Sequence, residues 1–149
     1  TIVSKKHSSR FKVLDTTLTS DPANWSKVYT CSGDHFYQEG PAVQKFAIKK
    51  TIATFKTLQE RCAQNLSEHY FISHQANLTM LKSVCEKLRI KEGKHLYNVD
   101  KFGNTGASGA PTVFSQNFDT FKSGDMITLV VVGAGLTWGG MLISVDDDS

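Results

Sequence analysis

The sequence predicts an α/β fold: a mixed, mostly parallel sheet with helices covering its faces. Two observations carry this. Short apolar segments of strand character alternate with segments whose apolar residues recur every three or four positions, the pattern of a largely parallel sheet covered by helices. The last two apolar runs, residues 127–132 and 136–145, are separated only by a glycine turn. They read as a hairpin, which makes the sheet mixed.

Taken in order, Thr1-Ile2-Val3 is short and apolar and reads as the inside of a strand. Residues 11–18 place Phe11, Val13 and, after Leu14 and Asp15, Thr16 and Leu18 in near alternation and predict a strand. Residues 20–40 are polar, contain Pro22, Gly33 and Gly40, and predict a long loop; such loops are more often functional or mobile than filler. Gly40-Pro41 opens the longest helix, because proline suits a first helical turn. Val43, Phe46, Ala47, Ile48, Ile52, Phe55, Leu58 and Cys62 give that helix a wide apolar face. Tyr70-Phe71-Ile72 predicts a short buried strand ending at Ser73-His74. A second helix over residues 77–88 buries Leu78, Leu81, Val84, Cys85 and Leu88. Residues 95–99 predict another strand, and residues 106–121 a third helix, small at its start.

A chain of 149 residues reads as one domain over 1–149 with a real core. Its 40% hydrophobic and 21% charged residues are those of a soluble globular protein. The net charge of +3 is too small to argue for nucleic acid. Asp146 to Asp148 form an acidic tail, so the body is more basic and leaves room for an acidic partner. The three cysteines, Cys31, Cys62 and Cys85, form no Cys-x-x-Cys pair, so neither a metal site nor a redox motif is expected. Cys62 and Cys85 fall on apolar stripes of predicted helices and read as small buried hydrophobes in a reducing compartment. Lys5, Lys6, Ser8 and Ser9 make the start polar, unlike a signal peptide. No apolar run reaches the ~20 residues of a membrane span, and the expected location is the cytoplasm.

Three segments carry the chemistry: His74-Gln75-Ala76-Asn77, Gly103-Asn104-Thr105 and Gly133-Ala134-Gly135-Leu136-Thr137-Trp138-Gly139. His74 directly follows a predicted strand, and Asn104 lies in a loop after the next one. In such sheets ligands bind beyond the carboxyl ends of strands. An imidazole and a carboxamide are both hydrogen-bond donors. Aimed at one carbonyl oxygen, they stabilise an enolate or oxyanion. Either residue alone reads as ordinary, a histidine satisfied in the core or an asparagine in a turn. Together, each in a small-residue loop after a strand, they read as a site. The glycine turn fits a plain hairpin as well as a ligand contact, and Asn77 fits a helix cap.

These three segments, in this order, resemble the carboxyl-terminal half of a β-ketoacyl-acyl carrier protein synthase III, a thiolase-like condensing enzyme. The resemblance is strongest over residues 40–145. It implies a two-part fold of which this chain is one half, α/β with a mixed, mostly parallel five-stranded sheet, the nucleophilic cysteine lying in an amino-terminal half absent here. It implies that His74 and Asn104 hold a malonyl thioester while carbon dioxide leaves, and that the Ala134 N–H completes an oxyanion hole. It also places Asn77 and Gly40 beside the pantetheine arm. Lys82, Lys87 and Arg89 give the second helix a basic face for an acidic carrier protein, or else a solvated one.

The implied substrates are phosphopantetheine thioesters, acyl-CoA and malonyl-acyl carrier protein, with no permanently bound cofactor. The implied partners are the acyl carrier protein, the chain's own amino-terminal half and a second copy in a homodimer. None of the cysteines lies at a small-residue strand-to-helix turn that would activate a thiolate; Cys31, in the long loop, is the one to consider. Four residues depart from the family's pattern: Pro41 and Gln44 replace an Asn and an aromatic residue, Val132 replaces a Phe, and Thr79 replaces a basic residue. They leave room for two other readings, a thiolase-fold acyltransferase of specialised metabolism and a non-catalytic partner subunit.

Overall fold

The computed structural model describes residues 4–147; the strand expected at Thr1-Ile2-Val3 lies outside them. Seven strands occur among these residues. They are β1 (Phe11–Ser20), β2 (Val28–Thr30), β3 (Phe36–Gln38), β4 (Tyr70–Ser73), β5 (His95–Leu96), β6 (Met126–Gly133) and β7 (Thr137–Val145). The α-helices are α1 (Gly40–Cys62), α2 (Leu78–Leu88), α3 (Val99–Phe102) and α4 (Gly109–Gln116).

Five strands form one sheet in the order β1-β7-β6-β4-β5. β4 pairs in parallel with β5 and β6, while β7 runs antiparallel to both β6 and β1. Four of the five strands therefore point the same way, and the sheet is mixed and mostly parallel in that sense. A bulge between Val13 and Asp15 interrupts the β1–β7 register, which explains the break in the alternation of β1.

Side chains alternate across the sheet, and two separate cores result. On one face Phe71, Val130 and Leu142 pack with Phe55 and Leu58 of α1 and Val84 and Leu88 of α2. On the other face Ile72, Ile127, Ile143 and Val145 pack with Ala110, Val113 and Phe114 of α4. Ile127, Thr128 and Val130 are fully buried because both faces of β6 are covered, hence its continuous apolar run.

Three expectations need correction. Residues 20–40 are not a loop: a 3-10 helix (Pro22–Lys27) leads into the β2–β3 hairpin. Its strands, Val28-Tyr29-Thr30 and Phe36-Tyr37-Gln38, are β-branched and aromatic around Gly33, a pattern masked by the surrounding polar residues. The strand at 95–99 stops at Leu96, and Val99 instead begins α3. The helix expected over 106–121 is broken into a 3-10 turn (Gly106–Ser108), α4 and a second 3-10 turn (Phe118–Thr120).

Candidate active site

A cavity of about 770 Å³ opens at the carboxyl ends of β4 and β6. His74, Asn77, Asn104, Ala134 and Gly40 all line it. The fold brings them from separate parts of the chain to the place where an α/β sheet binds ligands.

β4 ends at Ser73, and the backbone N–H of His74 still donates to Val130 O at 3.0 Å, so His74 is fixed to the middle of β6. Its ring is half-buried in the cavity wall, and burial pushes the imidazole below its ordinary value. It is therefore neutral near pH 7, with one N–H to donate. No Asp, Glu, Lys, Arg, Cys or Tyr joins it among the lining residues. Donors in such an apolar space act more strongly than in water.

Asn104 is exposed to the cavity mouth, and its Oδ1 accepts from the Gly106 N–H at 3.0 Å. A backbone N–H can only donate, so this bond fixes the flip of the amide. The Nδ2 group remains as the free donor. Asn77 is built the same way: its Oδ1 accepts from the Met80 N–H at 2.8 Å as the cap of α2, leaving Nδ2 free. The cap and a place on the cavity wall are compatible.

The β6–β7 ladder ends at the pair Gly133–Thr137, so Ala134 stands outside it. Gly135 has φ +125°, and a Cβ there would lie 2.7 Å from Thr137 Oγ1; only glycine fits this turn. The fully buried Leu136 exchanges backbone hydrogen bonds with Asp21, at 2.7 and 3.1 Å. The turn that carries Ala134 is thus held from below. Beside it, Phe46 of α1 packs edge-on against Trp138, with ring centroids 5.3 Å apart.

The remaining candidates sit elsewhere. Lys82, Lys87 and Arg89 are exposed and outside the cavity. At 3.6 residues per turn Lys82 and Lys87 stand about 140° apart, and Arg89 is the left-handed C-cap of α2. They do not form a single stripe. Among the described residues, no group of three His, Cys, Asp or Glu side chains could hold a metal, and no helix is long and apolar enough to cross a membrane. Cys31, Cys62 and Cys85 all lie off the cavity, and burial pushes the Cys85 thiol up to about 12.

Sequence reasoning missed two contributions. The β2–β3 hairpin supplies Val28, Phe36 and Gln38 to the wall. Gln75, fully buried, was passed over between His74 and Ala76. It lies among the polar residues Ser73, His74 and Asn77, so nothing in the local pattern singles it out.

Residues 58–145 match the family model for the C-terminal part of 3-oxoacyl-[acyl-carrier-protein (ACP)] synthase III. The chain belongs to this family. The β-ketoacyl-[acyl-carrier-protein] synthase III of Rubrobacter xylanophilus is 34% identical over 110 residues, covering 73% of this chain and 35% of the relative. That of Oceanobacillus iheyensis is 29% identical over 134 residues, covering 88% and 43%. The crystal structure of the Aquifex aeolicus synthase III superposes with a TM-score of 0.84 at 24% identity, over 93% of this chain and 46% of that one. The Thermus thermophilus enzyme gives 0.83 at 25%, over 91% and 47%. The fold is thus that of a thiolase-like synthase III, and the chain spans less than half the length of these relatives.

Proposed function

We propose that the intact protein condenses an acyl thioester with malonyl-acyl carrier protein in fatty acid or related biosynthesis, and that this chain supplies the malonyl half of the site. The observation that carries this reading is the meeting of His74 and Asn104 on one cavity with no other ionisable lining residue. The His74 N–H and Asn104 Nδ2 donate to the malonyl thioester oxygen. The bond to the carboxylate breaks, carbon dioxide leaves, and its electron pair becomes an enolate held by the two donors. The enolate carbon attacks an acyl group carried on a cysteine of the amino-terminal half. The Ala134 N–H and the nucleophile's own N–H receive the new oxyanion, and its collapse expels the thiolate.

Asn77 and Gly40 flank the pantetheine arm in this reading. Lys82, Lys87 and Arg89 meet the acidic carrier singly rather than as a stripe. The substrates are the acyl-CoA and malonyl thioesters themselves. The whole enzyme is a cytoplasmic homodimer without a resident cofactor, and this chain alone is inert.

Carbon dioxide release from malonyl-carrier protein by the full-length enzyme tests the reading. Absence of release, with acyl transfer to a hydroxyl or amine, would replace it by a thiolase-fold acyltransferase. Gln44 and Val132 favour that second reading, because both departures from the family's residues lie on the cavity wall. A full-length protein that never forms an acyl-enzyme would instead be a non-catalytic partner.

A further inference from the structure

The parallel ladder between β4 and β5 is only two residues long, Phe71 with His95 and Ile72 with Leu96. Beyond it the two chains diverge, one toward His74 and the other toward Asn104. The side chain of Gln75 spans this gap. Its Nε2 donates to Ser73 O at 2.7 Å, and its Oε1 accepts from the backbone N–H groups of Asn98, at 3.0 Å, and Val99, at 3.3 Å. The amide thus takes the place of the next backbone rung. From there the path to Asn104 is short: Val99 O accepts from the Gly103 N–H at 2.9 Å, and Gly103 precedes Asn104. Asn98 is pinned in turn by its Nδ2, which donates to Gln116 Oε1 at 2.9 Å.

Gln75 is 0% exposed. A buried primary amide is tolerated only when its polar atoms are used, and here both ends are. Space for it is fixed as well: a Cβ on Gly109 would lie 2.9 Å from Gln75 Cβ. A residue with no access to the cavity is therefore held by hydrogen bonds to both site-bearing segments and by close packing against a third element.

We propose that Gln75 is a positioning residue that sets His74 relative to Asn104. This rests on the reading of the pair as the malonyl-carbonyl site, and it deepens that reading by naming what keeps the two donors in register. Apolar replacement removes the rung, and the Asn104 segment is released from the end of β4. A displacement of about 1 Å at such a pair costs on the order of 100-fold in rate.

The experiment uses the full-length enzyme with Gln75→Met, which keeps side-chain length. The expected result is about a 100-fold fall in kcat for carbon dioxide release, with KM for malonyl-carrier protein and the rate of acyl-enzyme formation within about threefold. Decarboxylation within threefold of wild type overturns the proposal. So does an equal loss of acylation and decarboxylation, which is what general unfolding would give. If Gln75→Met does not fold, Gly109→Ala pushes on Gln75 while leaving its amide intact, and the same split is expected; its absence overturns the proposal. If wild-type enzyme releases no carbon dioxide, the parent reading fails. The coupling is then read by hydrogen exchange: Gln75→Met should speed exchange at residues 98–106, and unchanged exchange there overturns it.

Discussion

The two ends of the central sheet treat histidine differently. At the carboxyl end His74 stands in the wall of a large cavity. At the amino-terminal side His95 packs beside Tyr97, ring centroids 4.9 Å apart, and Phe71, 6.1 Å away, and its Nε2 is buried without a partner. Burial lowers both imidazoles, that of His95 to about 4 with help from the Lys82 charge. Both are neutral at pH 7. What separates them is open space and company. His74 shares its cavity with the free amide of Asn104, whereas the neighbourhood of His95 is filled by aromatic rings. A lowered imidazole is thus no mark of function by itself; the open cavity and the second donor beside it are what make His74, and not His95, the candidate.

The largest effect should come from breaking the carboxyl end. In the full-length enzyme His74→Ala and Asn104→Ala should each reduce decarboxylation by about 10²–10³-fold, the usual cost of one oxyanion donor. His95→Phe should leave the rate within a factor of about two, because that ring touches no part of the cavity. Carbon dioxide release measured for the three variants checks this. Equal losses from His74→Ala and His95→Phe would erase the distinction between the two ends.

The second effect is on stability and belongs mainly to the amino-terminal side. Folded His95 titrates at about 4, against 6.5 in the unfolded chain. As pH falls below 6.5 the unfolded chain takes up a proton that the folded one refuses, so stability falls on acidification toward pH 4. Allowing for the part of the ring that reaches solvent, His95 alone should contribute about 2 kcal/mol to that loss. His69 and His74 are lowered as well and act in the same direction. Urea melts of this chain at pH 7 and pH 4.5 should show the loss, and His95→Phe should shrink it. An unchanged pH dependence would mean that His95 is protonated in the folded state.

The sequence made His74 and Asn104 visible because each sits among small residues, His74 directly after a short apolar strand and Asn104 in the loop beyond the next one, although α3 intervenes between that strand and Asn104. It also made the sheet visible, since the helix-period and strand-period segments are separate. It hid the β2–β3 hairpin because Tyr29, Thr30 and Tyr37 are set among polar residues that satisfy a loop pattern equally well. It hid the end of β5 for a different reason: residues 95–99 look like a strand, but the N–H groups of Asn98 and Val99 are claimed by Gln75, a residue 23 and 24 positions away. Local pattern cannot report a partner that distant. The division of the basic residues of α2 was also open to helical geometry, since Lys82 and Lys87 differ by five positions, about 140°.

Asn77 allows the smallest and sharpest test, because it belongs to the cavity and to the helix at once. Its Oδ1 caps α2 by accepting from Met80 N, and its Nδ2 is the part left for a ligand. Asn77→Ala removes both and should cost about 1 kcal/mol of stability through the lost cap. Asn77→Asp keeps an acceptor for Met80 N and places a negative charge at a helix N-terminus, where it is favoured. Stability should then stay within about 0.5 kcal/mol of wild type. The donor is gone, however, and a carboxylate faces the cavity instead. If Asn77 binds the arm rather than the reacting carbonyl, as proposed, loss of one hydrogen bond of about 1.4 kcal/mol would raise KM for malonyl-carrier protein about tenfold, with kcat nearly unchanged. Urea melts and steady-state kinetics on the two variants separate the roles. If Asn77→Asp is as stable as wild type and has the wild-type KM, Asn77 is a cap and nothing more, and the carboxyl-end site contracts to His74, Asn104 and the Ala134 turn.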